Sequence, residues 1–370
     1  MALFLCTLLL PFSVLPAEDG LAKLAHARHF NLGVCAPVNN LRNNQDGGRY
    51  IQAITDNATM VEPENDLKPP ALWLGLGQYN FTNADFLLGA PGEKGWVAQH
   101  NLKLRGHVLV YARDEGYTIP RWLLNMESQI DAAQAKQILH DYIFAVAGRY
   151  KGKVAMWDVI NEAIEDRPNN RPFQLRNSFW FRKLGPEFLV LAFKYAHEAD
   201  PKAELYYNEY GVEGGGPKAE ALLQLADYLK AQHALVTGLG LQYHTGMYER
   251  VVAGDGHYAL LDQIKRRNLS FMITELDFQL EVQQKPRTDP EYGVIVKNPE
   301  DLQEQAKRVG TIFNMALSYP NCHGIQFWGI TDKYSWIPQF QPGKGAALLL
   351  DYNYERKPMW HAVEAALKRR

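Results

Sequence analysis

Eight short apolar, β-branched or aromatic runs punctuate the chain, and amphipathic helical stretches fill most of the gaps between them. The runs are FNLGVCA from Phe30, NATMVEP from Asn57, LKLRGHVLVY from Leu102, VAMWDVIN from Val154, ELYYNEYG from Glu204, LVTGLGLQYH from Leu235, LSFMITELDF from Leu269 and GIQFWGI from Gly324. Alternation of this kind marks βα units and a parallel sheet. AAQAKQILHDYIFAVAGRY from Ala132, PEFLVLAFKYAHEAD from Pro186 and AEALLQLADYLKAQ from Ala219 carry apolar residues at three- and four-residue spacing, as helices packed on a sheet do. An open doubly wound sheet also alternates, so it is the count of eight that predicts closure into an α/β fold of the (β/α)8 TIM barrel type. A chain of 370 residues fits one such domain, because these barrels run from about 200 to 400 residues. With 46% hydrophobic residues there is enough apolar material for both a barrel interior and a helical ring.

The opening MALFLCTLLLPFSVLPA is almost wholly apolar and gives way to Glu18, Asp19 and Gly20. It reads as a secretory signal over residues 1–17, with a catalytic domain over 18–370 and a secreted or periplasmic destination. The stretch is short for a membrane span, and no later segment has the roughly 18 uninterrupted apolar residues one needs. A membrane is therefore not an expected partner after signal removal. Cleavage after Ala17 removes Cys6 and leaves Cys35 and Cys322. These fall late in the first strand and just before the last, at opposite ends of a barrel, beyond the Cα separation of about 7 Å that a disulfide tolerates. Two free cysteines are expected. The formal net charge of −2, with no lysine or arginine block, argues against nucleic acid, and a monomer is the simplest expectation.

Polar residues gather at the C-terminal ends of the runs: Glu62 and Glu64, His107, Asn161 and Glu162, Asn208, Gln242 and His244, Glu275 and Asp277, and Trp328 leading to Asp332. In a closed barrel these ends converge on one face, where sites of this fold are built. WDVINEAIE from Trp157 and ITELDF from Ile273 each end an apolar strand with a glutamate, a costly place for an ionised carboxylate unless it is paired or functional. Two such groups on one face match glycosidic cleavage, in which one carboxylic acid protonates the leaving oxygen and a second carboxylate, roughly 5 to 5.5 Å away, attacks the anomeric carbon. The competing readings are a structural ion pair or a metal site, and no HExxH, paired cysteine or regular His/Asp ligand spacing supports the metal. Glu275 and Asp277 share one face of their strand, as do Gln242 and His244 of the preceding run. This places His244 where it can hold Glu275 ionised.

MVEPENDLK, YNFTNAD, LKLRGHVLV, VAMWDVINEA, LYYNEYG, GLGLQYHT, MITELDF, FWGITDKYSW and RKPMW occur in that order between about Leu32 and Pro358. In these blocks the chain resembles glycoside hydrolase family 10, mainly endo-β-1,4-xylanases that need no cofactor and no metal. The resemblance implies Glu162 as acid/base, Glu275 as nucleophile, and His244 with Asp277 as their support. It implies sugar contacts from Glu64, Asn65 and Lys68, from Asn161 to the 2-hydroxyl of the reacting sugar, and from Gln242 and His107. Trp328 and Trp336 match the walls of that sugar's site, where an aromatic face suits the C–H side of a pyranose.

One block departs from the family pattern. Where the family has a Trp-His pair and then a glutamine before Pro-x-Trp, this chain reads YARDEGYTIPRW, with Tyr111, Ala112 and Thr118 at those places and a few extra residues. Ala112 would then stand against the reacting sugar with no side-chain hydrogen bond to offer. Arg113 is either a substitute sugar contact or a solvated loop charge. The expected activity is endo-hydrolysis of xylan; alternatives are a retaining hydrolase of another β-linked glycan or xylo-oligosaccharide, and a non-catalytic carbohydrate-binding barrel.

Overall fold

The computed structural model describes residues 20–290 and 292–369, so the expected signal segment and Cys6 lie outside the described residues. Eight parallel strands close into a barrel: β1 (Asn31–Cys35), β2 (Met60–Glu62), β3 (Lys103–Tyr111), β4 (Met156–Asn161), β5 (Glu204–Glu209), β6 (Gly238–Leu241), β7 (Ser270–Glu281) and β8 (Cys322–Phe327). Each pairs with its sequence neighbours. The ring closes where Asn31 to Val34 of β1 run beside Gly324 to Phe327 of β8. The principal outer helices are α1 (Arg49–Asn57), α2 (Thr82–Leu88), α3 (Ala132–Val146), α4 (Glu187–Ala199), α5 (Pro217–Ala231), α6 (Gly256–Arg266), α7 (Asp301–Leu317) and α8 (Pro358–Lys368).

Sequence periodicity accounts for most of these elements. On α3 the buried residues Ala135, Ile138, Leu139, Tyr142, Ile143 and Val146 form one stripe, the three- and four-residue spacing that turns a single face to the strands. Its start is fixed by a capping box: Asp131 accepts from the Gln134 amide at 2.8 Å, and Gln134 accepts from the Asp131 amide at 2.9 Å. Two apolar populations result. One joins strands to helices; the other is Met60, Met156, Tyr206 and Met272, which meet although some of their strands are not neighbours, and so meet across the barrel interior.

The sixth and second runs differ from expectation. β6 stops at Leu241, Tyr243 takes a left-handed φ of 65°, and the chain resumes as a short strand, His244–Gly246, paired with β7 through Asp277. Gln242 and His244 therefore do not share a face by strand alternation, and the break turns His244 toward β7. β2 has only three residues, because Pro63 has no amide hydrogen to extend it. Cys35 ends β1, Cys322 begins β8, and both are free. α8 also ties back to the early part of the chain: Trp360 Nε1 donates at 2.7 Å to Asn57 Oδ1 at the end of α1, and Arg28, after a short helix over Leu21–Ala27, donates to the Leu367 carbonyl at 3.0 Å.

Candidate active site

Alternation along β3 turns Arg105 and His107 the same way, and both are buried. Arg105 Nε reaches Asp158 Oδ1 at 3.2 Å, a second nitrogen pairs with Oδ2, and Nη1 donates to the Thr274 carbonyl at 2.9 Å. His107 Nδ1 lies 2.7 Å from Asp158 Oδ2. A buried guanidinium and carboxylate are tolerable because each satisfies the other. This floor sets a fixed positive charge beneath the site, with Arg105 Nη2 3.6 Å from Glu275 Oε1.

Glu275 stands on that floor. Asn208 Nδ2 donates to its Oε1 at 2.7 Å, and His244 Nε2 lies 3.2 Å from its Oε2. His244 Nδ1 is 2.8 Å from Asp277 Oδ2, which also accepts from Trp336 Nε1 at 2.9 Å. Burial disfavours a charged imidazole, yet Asp277 and Glu275 outweigh it and raise the His244 pKa well above its ordinary value, so both ring nitrogens donate. Burial likewise pushes Glu275 up, but the His244 hydrogen bond and the positive field of His107, His244 and Arg105 win, holding its carboxyl at about 2. Glu275 is thus an anion at any ordinary pH. Asn208 reaches it because β6 carries Gly240 alongside; a Cβ there would lie 2.2 Å from Asn208 Oδ1.

Glu162 has different surroundings. It follows β4 with φ at 55°, as does Glu64 after β2, a left-handed conformation that costs a non-glycine residue about 1 to 3 kcal/mol. The Glu162 amide donates to the Asn208 carbonyl at 3.0 Å, and its own carbonyl accepts from Arg176 Nε at 2.9 Å, which pins the turn. Its Oε1 accepts from Tyr111 at 2.7 Å, Gln242 at 3.1 Å and Asn161 at 3.3 Å. Its Oε2 accepts from Arg113 Nη1 at 2.9 Å. The two carboxylates are joined by an amide relay, in which Asn208 Nδ2 also donates to Asn161 Oδ1 at 2.8 Å.

Above both carboxylates opens a cleft of about 490 Å³. Glu64, Asn65, Lys68, Gln242, His244, Trp328 and Trp336 line it with Glu162 and Glu275. Asn65 Oδ1 accepts from Lys68 at 2.8 Å. His107, Asn161 and Asp277 stand one layer back, 1%, 1% and 2% exposed, and act on the cleft through Asp158, Glu162 and His244. Tyr111, Arg113, Tyr117, Tyr210 and Phe340 line it as well; the sequence reading weighed only Arg113 among them as a contact. Arg105 and Asp158 were also missed as participants, although the two-residue step from Arg105 to His107 was a visible signal; Asn208 was placed on the site face without a role. Asp332, grouped with the strand-end polar residues, is instead a structural brace, accepting from Lys357 at 2.7 Å and from the Leu348 amide at 2.8 Å.

The departing block resolves differently from both expectations. Ala112 is fully buried in the apolar core, its amide donating to the Asn161 carbonyl at 2.9 Å, so it does not face the cleft. Arg113 lines the cleft as an ion-paired group and is not a solvated loop charge. It is shared between Glu162 and Glu115, its Nε and Nη2 lying 3.1 and 2.9 Å from Glu115 Oε1. Thr118 fixes this turn, its hydroxyl reaching the Arg113 and Glu115 carbonyls at 2.9 and 2.7 Å. Among the described residues no group of three or more His, Cys, Asp or Glu side chains is placed to hold a metal ion, and no helix is long and apolar enough to cross a membrane.

Comparison with known proteins gives this arrangement its relatives. The sequence profile of Glycosyl hydrolase family 10 matches residues 20–366. Endo-1,4-beta-xylanase 1 of Gibberella zeae is 32% identical over 306 residues, 81% of this chain and 78% of that protein. The crystal structure of native xylanase 10B from Thermotoga maritima covers 94% of this chain and 98% of its own, at 31% identity and a TM-score of 0.81. Xylanase 10B from Thermotoga petrophila, in complex with xylobiose, gives 30% identity, a TM-score of 0.82 and coverage of 94% and 97%. Barrel, paired carboxylates and nearly full-length profile agree: the chain belongs to glycosyl hydrolase family 10.

Proposed function

We propose that this chain is a retaining endo-β-1,4-xylanase. The observation that carries the mechanism is the contrast between two carboxylates in one cleft. Glu275 is held ionised by His244, Asn208 and Arg105, whereas Glu162 takes uncharged donors, Tyr111, Gln242 and Asn161, on one oxygen and Arg113 on the other. A fixed anion and a second carboxyl in different surroundings are what double displacement requires. Glu275 attacks the anomeric carbon while Glu162 donates its proton to the departing glycosidic oxygen. Water then attacks the same carbon, its proton passes to Glu162, and the bond to Glu275 breaks with the electron pair returning to the carboxylate.

The xylan specificity is supported by the xylanase relatives. Trp328 and Trp336 wall the reacting sugar, Phe340 extends the aromatic surface outward, and Glu64, Asn65 and Lys68 offer polar groups to hydroxyls. Gln242 lines the reacting sugar's site, Asn161 acts on it through Glu162, and His107 supports it through Asp158. The apolar segment at residues 1–17 supports export, and we propose a monomer. Reducing-end release on a panel of β-linked glycans tests the substrate, with xylan expected first. Proton NMR of early product tests the stereochemistry: the β anomer is expected, and an initial α anomer would sink the double-displacement reading.

A further inference from the structure

Protonated Glu162 conflicts with its neighbours. Its Oε1 already accepts from Tyr111, Gln242 and Asn161, so the transferable proton belongs on Oε2, the oxygen Arg113 Nη1 addresses at 2.9 Å. Two donor hydrogens cannot point at each other across one hydrogen bond. Arg113 has somewhere to go. Its Nε and Nη2 are already on Glu115, with three contacts between 2.9 and 3.2 Å, and Thr118 holds the backbone of that turn. We propose that Arg113 is a movable counter-ion: it pairs with Glu162 while Glu162 is ionised and withdraws onto Glu115 while Glu162 carries a proton.

This rests on the acid/base role proposed above for Glu162 and makes Arg113 a positioning residue acting through it. In the first step the Glu162 proton passes to the glycosidic oxygen as the C–O bond breaks, and Arg113 then closes on the new anion. In the second, water gives its proton back to Glu162 and Arg113 withdraws again. Such a cation favours the base form needed for the second step and opposes the acid form needed for the first. The other groups facing Glu162 are Tyr111 from β3, Tyr117 from the following turn, Glu209 and Tyr210 at the end of β5, Arg176 on its carbonyl and Gln242 after β6; Asn208, joined to Glu275, accepts its amide. The cation in contact with its carboxylate is Arg113.

The experiment compares kcat/KM against pH for the full chain and for Arg113→Met, Arg113→Lys and Glu115→Gln, each checked for folding by thermal melting. Xylotetraose, with a poor leaving group, and a dinitrophenyl xylobioside, which needs no protonation to depart, serve as substrates. On xylotetraose, Arg113→Met moves the alkaline limb up by about 1 pH unit, as loss of a neighbouring cation does, and leaves the acid limb in place. Arg113→Lys retains the original limb, and Glu115→Gln, which frees Arg113 to remain on Glu162, moves it down. The dinitrophenyl substrate shows no shift in its alkaline limb. A limb unmoved in folded Arg113→Met, or a uniform loss at every pH on both substrates, overturns the proposal while the hydrolase reading stands. No turnover of either substrate by the unsubstituted chain overturns both.

Discussion

At the scale of single residues, the chemistry lies in how two glutamates are surrounded. Removing the Asn208 amide leaves one oxygen of the buried Glu275 without its donor, so Asn208→Ala should lower kcat/KM by about 1.5 to 3 kcal/mol, the range for a hydrogen bond to a charged group. Kinetics of the folded variant on xylan check this, and unchanged kcat/KM would remove Asn208 from the site. Ala112→His carries a different expectation now that Ala112 is known to be fully buried. Restoring the family histidine overpacks the core and should destabilise the chain by about 1 to 3 kcal/mol without restoring a sugar contact; urea melts decide. The motifs located both reacting glutamates and the His244–Asp277 pair, because those residues sit at strand ends and close apolar runs, but they passed over the charge of Arg105. They placed Asn208 on the site face but not its bond to Glu275, and they did not locate Asp158 or the Arg113–Glu115–Glu162 triangle. Those partnerships span the barrel or a lengthened turn, and their geometry depends on side-chain direction, which no local spacing encodes.

At the scale of elements, all eight strands and the helices α3, α4 and α5 were legible, since period and composition agree for them; α7, the longest described helix, was not singled out. The misfits fall where one residue overrides its segment. Pro63 ends β2 after three residues, and left-handed Tyr243 breaks the sixth run before His244. That break is invisible to alternation, yet it delivers His244 between Asp277 and Glu275. The start of α3 at Ala132 was read from its period, and its cap was not. The Asp131–Gln134 box satisfies two amides that have no partner within α3. Asp131→Ala should cost about 1 kcal/mol in chemical denaturation and leave kcat/KM unchanged, because α3 lies on the barrel's outer face. A loss of activity at unaltered stability would contradict this separation of scaffold and site.

For the molecule as a whole, stability and pH are coupled through a carboxyl that catalysis does not use. Glu62 is fully buried at the end of β2, and neither of its oxygens has a hydrogen-bond partner. Burial drives its pKa from 4.5 to about 7, opposed by the positive field of His107 and Arg105 and assisted by Glu275. Between those two values the folded chain holds a proton that the unfolded chain has released, so stability falls as pH rises through the window and the folded state is favoured below it. Glu62→Gln should abolish that decline and make the variant more stable at pH 8 by roughly 3 kcal/mol, with little difference at pH 4; urea midpoints at both pH values test it, and parallel losses would rule it out. Closure of the ring has a consequence in time. β1 finds its outer partner only in β8, nearly 300 positions later by their register, and contacts so remote in sequence form slowly. A nascent chain therefore carries β1 with one edge unpaired until Gly324 to Phe327 have left the ribosome. Completion of the barrel belongs to a late moment of synthesis, and until then that open edge is the place where a chaperone or a second nascent chain can pair.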